Sequence, residues 1–230
     1  MRWINHFLES LDPRDLRRLE GDLEELDLPK DQVLAEAGRD ATHVYLPIDS
    51  ILSVVTVMRN GAQVESRTIG RESGSGLLHA LGSRLSYERM TVQVSGRAWR
   101  IPLAPLQAAA AESPSLTQHI VRHAQATLLQ SAQAIACNTL HAAEERLCRW
   151  LLMTQDRLDG PIVPLTQEHL AIMLGVQRTT VTALAQGLQD RHVISYSRGK
   201  IRILDRKALE RCACECYAAM QSGVRRTLDG

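Results

Sequence analysis

The chain has 230 residues, 44% apolar and 23% charged, with a formal net charge of +1. That balance suits one large or two modest globular domains and excludes a strongly polycationic binder. Aromatic residues make up 3%, with one Phe, so the core must be aliphatic, and stacking platforms for single-stranded nucleic acid are not expected.

No run approaches the length of a membrane-spanning helix, and Met1 to Ser10 lacks the basic start and apolar centre of a secretion signal, which predicts a cytoplasmic protein with no membrane partner. Five cysteines, an odd number with three crowded at Cys212, Cys214 and Cys216, do not form a disulfide framework, and reduced thiols are expected.

In chain order, Asp12-Pro13-Arg14-Asp15 offers an N-cap, a proline at the first helical position and an acid in the first turn. It predicts a helix carrying Leu16, Leu19, Leu23 and Leu26. Short β-type segments follow at Gln32 to Ala35, His43 to Leu46, Ile51 to Met58, Ala62 to Ile69 and Met90 to Ile101, with Arg59-Asn60-Gly61-Ala62 as a hairpin turn. Regularly spaced short strands predict an antiparallel barrel or jelly roll. After Ile101 the chain turns helical, and Ser113-Pro114 opens a long segment to about Leu140 without glycine or further proline. Its apolar positions Ile120, Val121, Ala124, Leu128, Ile135 and Leu140 make a face wider than one barrel covers, and a homodimer seam is the expected use. Another helix over His141 to Asp156 turns Leu147, Trp150, Leu151 and Met153 toward a core, before Leu158-Asp159-Gly160-Pro161 breaks it.

The stretch from Leu165 to Leu204 carries the most information. Thr166 is a good N-cap, and Leu170, Met173 and Leu174 recur at helical spacing. Gly175 then tolerates the positive φ of a sharp turn, while Ala171 leaves room for a second helix to cross. That second helix, about Gln177 to Asp190, places Val181, Leu184 and Leu188 on one face and Arg178, Thr179, Thr182, Ala183 and Gln186 toward the other. Val193-Ile194-Ser195-Tyr196 and Lys200-Ile201-Arg202-Ile203-Leu204 alternate around Ser197-Arg198-Gly199 and predict a two-stranded wing. Seven basic residues against two acidic ones between Arg191 and Arg211 give a local excess able to neutralise duplex phosphates.

A small β-domain, a long helix and a carboxyl-terminal winged helix-turn-helix together resemble the Crp/Fnr family of bacterial transcription regulators. The resemblance is strongest in Glu144-Glu145-Arg146-Leu147-Cys148-Arg149-Trp150-Leu151-Leu152 and Leu165 to Leu204, with weaker traces in His43-Val44-Tyr45-Leu46-Pro47 and Ile69-Gly70-Arg71-Glu72. It implies an α+β fold: a cyclic-nucleotide-binding-type barrel over residues 1–112, a dimerisation helix over 113–140 and a winged helix-turn-helix over 141–230. It further implies a homodimer on an inverted-repeat operator in double-stranded DNA, with RNA polymerase as a partner. Phosphate contacts would fall on Thr166, Gln167, Thr180, Arg198 and Lys200, and base edges on Gln177, Arg178, Thr179, Thr182, Ala183 and Gln186. Arg178 matches the family's main guanine-reading position. Thr179 replaces the Glu of the best-known members, and Ala183 their Arg or Ser, so their operators do not transfer.

Family members that bind cyclic nucleotides use a Gly-Glu-Leu segment and a later Arg-Ser/Thr-Ala segment. The matching places here read Gly76-Leu77-Leu78 and Arg89-Met90-Thr91, so the carboxylate for the ribose is missing and cyclic AMP is not an expected cofactor. Ser73, Gly74, Ser75, Gly76, Leu77 and Arg89 could still hold another anionic effector, but a structural loop with a surface arginine is the favoured reading. The oxygen-sensing branch's iron–sulfur cluster is excluded because no cysteine precedes Cys137.

Cys212, Cys214 and Cys216 at i, i+2, i+4 of one expected helix do not complete a metal site, and none is predicted. His119 and His123, four apart on the long helix, could hold a metal or haem iron, but such a pair is more often at a helix surface or a dimer seam, where protonation could sense pH. Two alternatives stand beside this reading: a thiol enzyme pairing Cys137 with His141, which lacks an orienting acid and an oxyanion motif, and a ligand-responsive signalling module acting on a protein partner.

Overall fold

A computed structural model describes residues 4–229; residues 1–3 and 230, the outermost positions of the two predicted end domains, lie outside the described residues. Two compact units emerge. One runs through Val55, resumes over Thr68–Leu128 and takes up the chain again from Arg226; the other holds Thr56–Arg67 and Leu129–Arg225. Among the described residues no helix is long and apolar enough to cross a membrane.

The first unit opens with helices α1 (His6–Glu9) and α2 (Pro13–Leu19). Asp12 caps α2 by accepting from the Arg14 amide at 2.7 Å, as its sequence demands. The helix is shorter than predicted. Glu20-Gly21-Asp22 forms a 3-10 turn, and Leu26 falls on strand β1 (Glu24–Leu28), because a mid-helix glycine is costly and β1 finds a full antiparallel partner later in the chain.

Strands β2 (Val33–Ala35), β3 (His43–Pro47), β4 (Ile51–Val57), β5 (Gln63–Ile69), β6 (Arg89–Val94) and β7 (Gly96–Pro102) complete two antiparallel sheets, ordered β1-β7-β3 and β2-β6-β4-β5. The predicted hairpin turn sits at the end of β4, where Gly61 takes φ +83° and the Met58 amide donates to Ala62 O at 2.8 Å. The single strand predicted from Met90 to Ile101 is two strands. The chain changes sheets at Gly96, where a β-carbon would meet Asp49 Oδ1 and Ser50 N at 2.7 Å, so that only glycine allows the approach. Leu46, Trp99, Ile101, Leu106 and Ile120 fill one core cluster, and Leu52, Val54, Met90 and Val92 a second between the sheets.

Helix α3 (Leu103–Glu112) leads into α4 (Pro114–Leu140), 27 residues long and about 40 Å at 1.5 Å per residue. Ile120 is fully buried, whereas Val121, Leu128 and Ile135 stand 38%, 71% and 70% exposed at seven-residue spacing. His119 and His123 are accounted for within the first unit. Their rings lie 4.8 Å apart and both pack on Phe7 of α1; His119 Nε2 meets Phe7 O at 3.2 Å and His123 Nδ1 meets Ser73 Oγ at 2.9 Å. His123 is buried, so the plain-surface reading does not hold for it, while His119 stays half-buried beside α1.

In the second unit, α5 (Ala143–Gln155) carries Leu147, Trp150, Leu151 and Leu152 into a core shared with Val163, Leu170, Leu174, Val181 and Leu188. The Glu145 carboxylate accepts from the Ala142 amide at 3.0 Å and starts the helix. The Trp150 indole donates to Glu65 at 3.0 Å.

Helices α6 (Gln167–Leu174) and α7 (Arg178–Asp190) follow a short strand β8 (Ile162–Val163), then come β9 (Ile194–Ser197), β10 (Lys200–Ile203), α8 (Arg206–Cys212) and α9 (Cys216–Asp229). The wing is a three-stranded sheet, β8-β10-β9, rather than the predicted pair; two residues carry no alternation from which β8 could be read. The one helix expected through Cys212, Cys214 and Cys216 is also corrected. It breaks at Ala213, because Leu209 packs into the unit's main core while Cys214 and Cys216 join Cys137 in a separate cluster, and one straight helix cannot face both.

Candidate nucleic-acid interface

Local chemistry builds the helix pair. Thr166 Oγ1 accepts from the His169 amide at 3.3 Å and opens α6, and Gly175 closes it at φ +63° with its amide bonded back into the helix. Leu170, Met173 and Leu174 anchor α6, and Val181, Ala185 and Leu188 bury the inner side of α7. That leaves Gln177, Arg178, Thr179, Thr180, Thr182, Ala183 and Gln186 all exposed along the outer side. Val181 and Leu188 cannot be buried without presenting this row, since the two faces alternate at the helical period.

Beyond α7, His192 at φ +56° lets the Val193 amide return to Leu188 O at 3.0 Å, which turns the chain into β9. Arg198 and Gly199 both take positive φ, +48° and +74°, and the register pairs Ser197 directly with Lys200. This is a two-residue turn of the type that matches strand twist. A β-carbon at Gly199 would sit 3.4 Å from the Thr166 methyl, so the wing turn bearing Arg198 and Lys200 lies beside the start of α6. Thr166 and Gln167 are half-buried there, and Arg178 Nε reaches Gln167 Oε1 at 3.4 Å.

Tyr196 belongs to this neighbourhood although sequence reasoning placed it only in the wing. Burial pushes its phenol up, against a hydrogen bond from the Gln167 backbone and the nearby Arg178 charge; its alternation along β9 was the available signal. Its own amide donates to Gln189 Oε1 at 2.7 Å, tying the wing to α7. The basic excess is smaller than the seven counted residues. Arg191 pairs with Glu144 at 2.6 Å, and Arg206 pairs with Asp156 at 2.7 Å and Glu210 at 3.0 Å. Gln186 also spends an amide N–H on Asp190 at 2.8 Å.

The six residues of the possible effector pocket are largely engaged with their own neighbours. Ser73 is held by His123. A β-carbon at Gly74 would strike Leu46 Cδ2, Ser75 is buried and bridges to the Tyr45 backbone through its amide and hydroxyl at 2.8 and 3.1 Å, and Leu77 is buried in the core. Gly76 takes φ +69° to start a short 3-10 turn. Arg89 gives Nε and Nη2 to Glu36 at 3.0 and 2.7 Å, which raises its own pKa and lowers that of Glu36. The turn is thus engaged with β3 and α4, and Arg89 with a carboxylate that the sequence did not single out.

Comparison with known proteins sets these geometries in context. The family model for the Crp-like helix-turn-helix domain matches residues 145–212. No curated protein matches the chain. A Crp/Fnr-family transcriptional regulator from Eubacterium rectale superimposes with a TM-score of 0.70 at 18% identity, covering 89% of this chain and 95% of that one. FixK2 from Bradyrhizobium japonicum gives 0.73 at 15%, over 84% and 98%. TTHB099, a CRP-family transcriptional regulator from Thermus thermophilus, gives 0.69 at 18%, over 83% and 96%. Residues 145–212 thus carry a Crp-like helix-turn-helix domain, and the chain shares the fold of these solved regulators.

Proposed function

We propose that this protein is a cytoplasmic, sequence-specific transcription regulator that binds an inverted-repeat operator as a homodimer, with RNA polymerase as a partner. The observation that carries the reading is the outer face of α7: seven polar or small side chains, Gln177 to Gln186, exposed on a helix whose opposite side is wholly packed. Such a helix fits the major groove, where an arginine can take guanine O6 and N7 together, and Arg178 leads the row. Thr166, Gln167, Thr180, Arg198 and Lys200 flank it as phosphate contacts. In this reading residues 1–112 form the sensor-type barrel, 113–140 the dimerisation helix and 141–230 the DNA-binding domain.

The exposed row Val121, Leu128 and Ile135 supports the dimer. Heptad spacing keeps one seam facing a partner helix, and two half-sites about 34 Å apart need two copies of α7. Leu128→Glu with Ile135→Glu is expected to leave the fold intact by circular dichroism and to convert the protein from dimer to monomer in sedimentation, with loss of operator binding. A double variant that sediments as the wild type would remove the seam from α4.

Binding is expected without added nucleotide. Glu36 already occupies Arg89 and Leu77 is apolar and buried, so a cyclic phosphate would have to displace a paired carboxylate and would find no acceptor for its ribose.

A further inference from the structure

Four side chains unused by DNA reading come together in the second unit. Cys137 and His141 stand one turn apart at the end of α4, the His141 amide still donating to Cys137 O at 3.1 Å. Cys214 lies in the joint between α8 and α9, and Cys216 is the first residue of α9. Their ligand atoms all lie within 4.8 Å of one another. Cys137 Sγ is 3.5 Å from Cys214 Sγ, and Cys216 Sγ is 3.5 Å from His141 Nδ1.

These spacings can be compared with a coordination polyhedron. Around one ion with metal–sulfur bonds of about 2.3 Å and a metal–nitrogen bond of about 2.05 Å, tetrahedral edges are about 3.8 Å between sulfurs and about 3.6 Å from sulfur to nitrogen. The observed set needs only small adjustments to meet them. A cluster of several irons spreads its cysteines further apart, and oxygen-loving cations do not choose three thiols and an imidazole.

The surroundings supply a second, independent observation. Cys137 and Cys216 are fully buried and Cys214 is 6% exposed. Arg149 of α5 is also buried, at 7%. Among the described residues its guanidinium meets only the sulfurs of Met153 and Met220, at 3.2 and 3.5 Å; no carboxylate pairs with it and its Nε has no hydrogen-bond partner. A buried cation without an anion is costly. One divalent ion bound by three thiolates and a neutral imidazole carries a single net negative charge, which is the counter-charge Arg149 lacks. Gln133, one turn before Cys137, donates its amide N–H to Cys216 Sγ at 3.1 Å, the kind of outer hydrogen bond that orients a thiolate ligand.

We propose that Cys137, His141, Cys214 and Cys216 hold one zinc-class divalent ion in a closed tetrahedral site that fastens the α8–α9 joint and the start of α9 to the end of α4. Three thiol protons pass to solvent as the ion enters. Four protein ligands leave no open position, so the ion is structural, and it arises from four residues that lie far apart in sequence as two short pairs.

The test uses the full chain, purified without oxygen, stripped with a chelator and titrated with Co²⁺. One equivalent should bind with the visible bands of a tetrahedral thiolate site and a near-ultraviolet sulfur-to-cobalt band, and Zn²⁺ should bleach both. Cys214→Ser should weaken binding by at least the roughly 10–100-fold that follows loss of a mere outer-shell partner. His141→Cys should keep a tetrahedral spectrum with a stronger sulfur-to-cobalt band, and Cys212→Ser should match the wild type. A folded protein with five titratable thiols and no tetrahedral spectrum would overturn the site. So would equal binding by Cys137→Ser and Cys214→Ser, or iron with acid-labile sulfide in the protein as isolated.

Discussion

Arg89 and Arg178 each begin a secondary-structure element, β6 and α7, yet only one has its charge to offer. Arg89 is clamped by both its Nε and Nη2 on Glu36. Arg178 is exposed, with one long contact to the neutral amide of Gln167. Their neighbourhoods follow suit: Ser73 to Leu77 turn inward to His123, Tyr45 and the core, while Thr179, Thr182, Ala183 and Gln186 line an open helix face. A guanidinium's availability is set by whether a carboxylate reaches it first. In this chain the barrel turn is closed by its own partners and the helix-turn-helix is open.

Four substitutions test that contrast. The open face exists because the inner face of α7 is packed, so Leu188→Ala, at a fully buried position, should cost roughly 2–5 kcal/mol in urea denaturation. A cost below about 1 kcal/mol would mean that α7 is not held as described.

The closed turn should respond to acid. Burial, helped by the neighbouring His119, lowers His123 to about 3, with Glu72 acting upward and His6 downward; His119 is lowered too, mainly by burial. An unfolded histidine takes its proton below about 6.5 while the folded one does not until about 3, so stability is present above 6.5 and is lost as pH falls from there toward 3. His123 alone should contribute up to about 2 kcal/mol of loss between about pH 7 and about pH 5. His123→Gln, which can still hydrogen-bond Ser73, should flatten that slope, and an unchanged slope would place the effect elsewhere.

The smallest effect belongs to Arg89→Ala. Its pair with Glu36 is a third to a half exposed, which limits the stability cost to about 1 kcal/mol or less. Operator preference should not change; a changed preference would show that β6 communicates with DNA reading.

Much of this architecture could be read from the sequence because local chemistry and burial agree there. Asp12, Thr166 and Gly175 cap or end helices as their residue types require, and Pro114 to Leu140 forms the long helix read from its lack of breakers. The misses have a common cause in long-range pairing. Leu26 lies on a strand because β7 is there to receive it, β8 is too short to show a period, and Ser95-Gly96 divides two strands because Asp49 and Ser50 crowd the backbone. At the interface, the exposed row on α7 followed from helical periodicity. The losses of Arg191 to Glu144 and of Arg89 to Glu36 span 47 and 53 residues of chain, and no local pattern announces them. The same holds for Cys137 and Cys214, 77 residues apart.

The most direct test of the central claim is selection from a random duplex DNA pool with purified, reduced protein and no added nucleotide, run in parallel with Arg178→Ala. The wild type should enrich an inverted repeat, and the variant should retain weak, salt-sensitive binding but lose roughly 1–3 kcal/mol of preference for it. Failure of the folded wild type to enrich any sequence, or enrichment of the same repeat by Arg178→Ala, would contradict that claim.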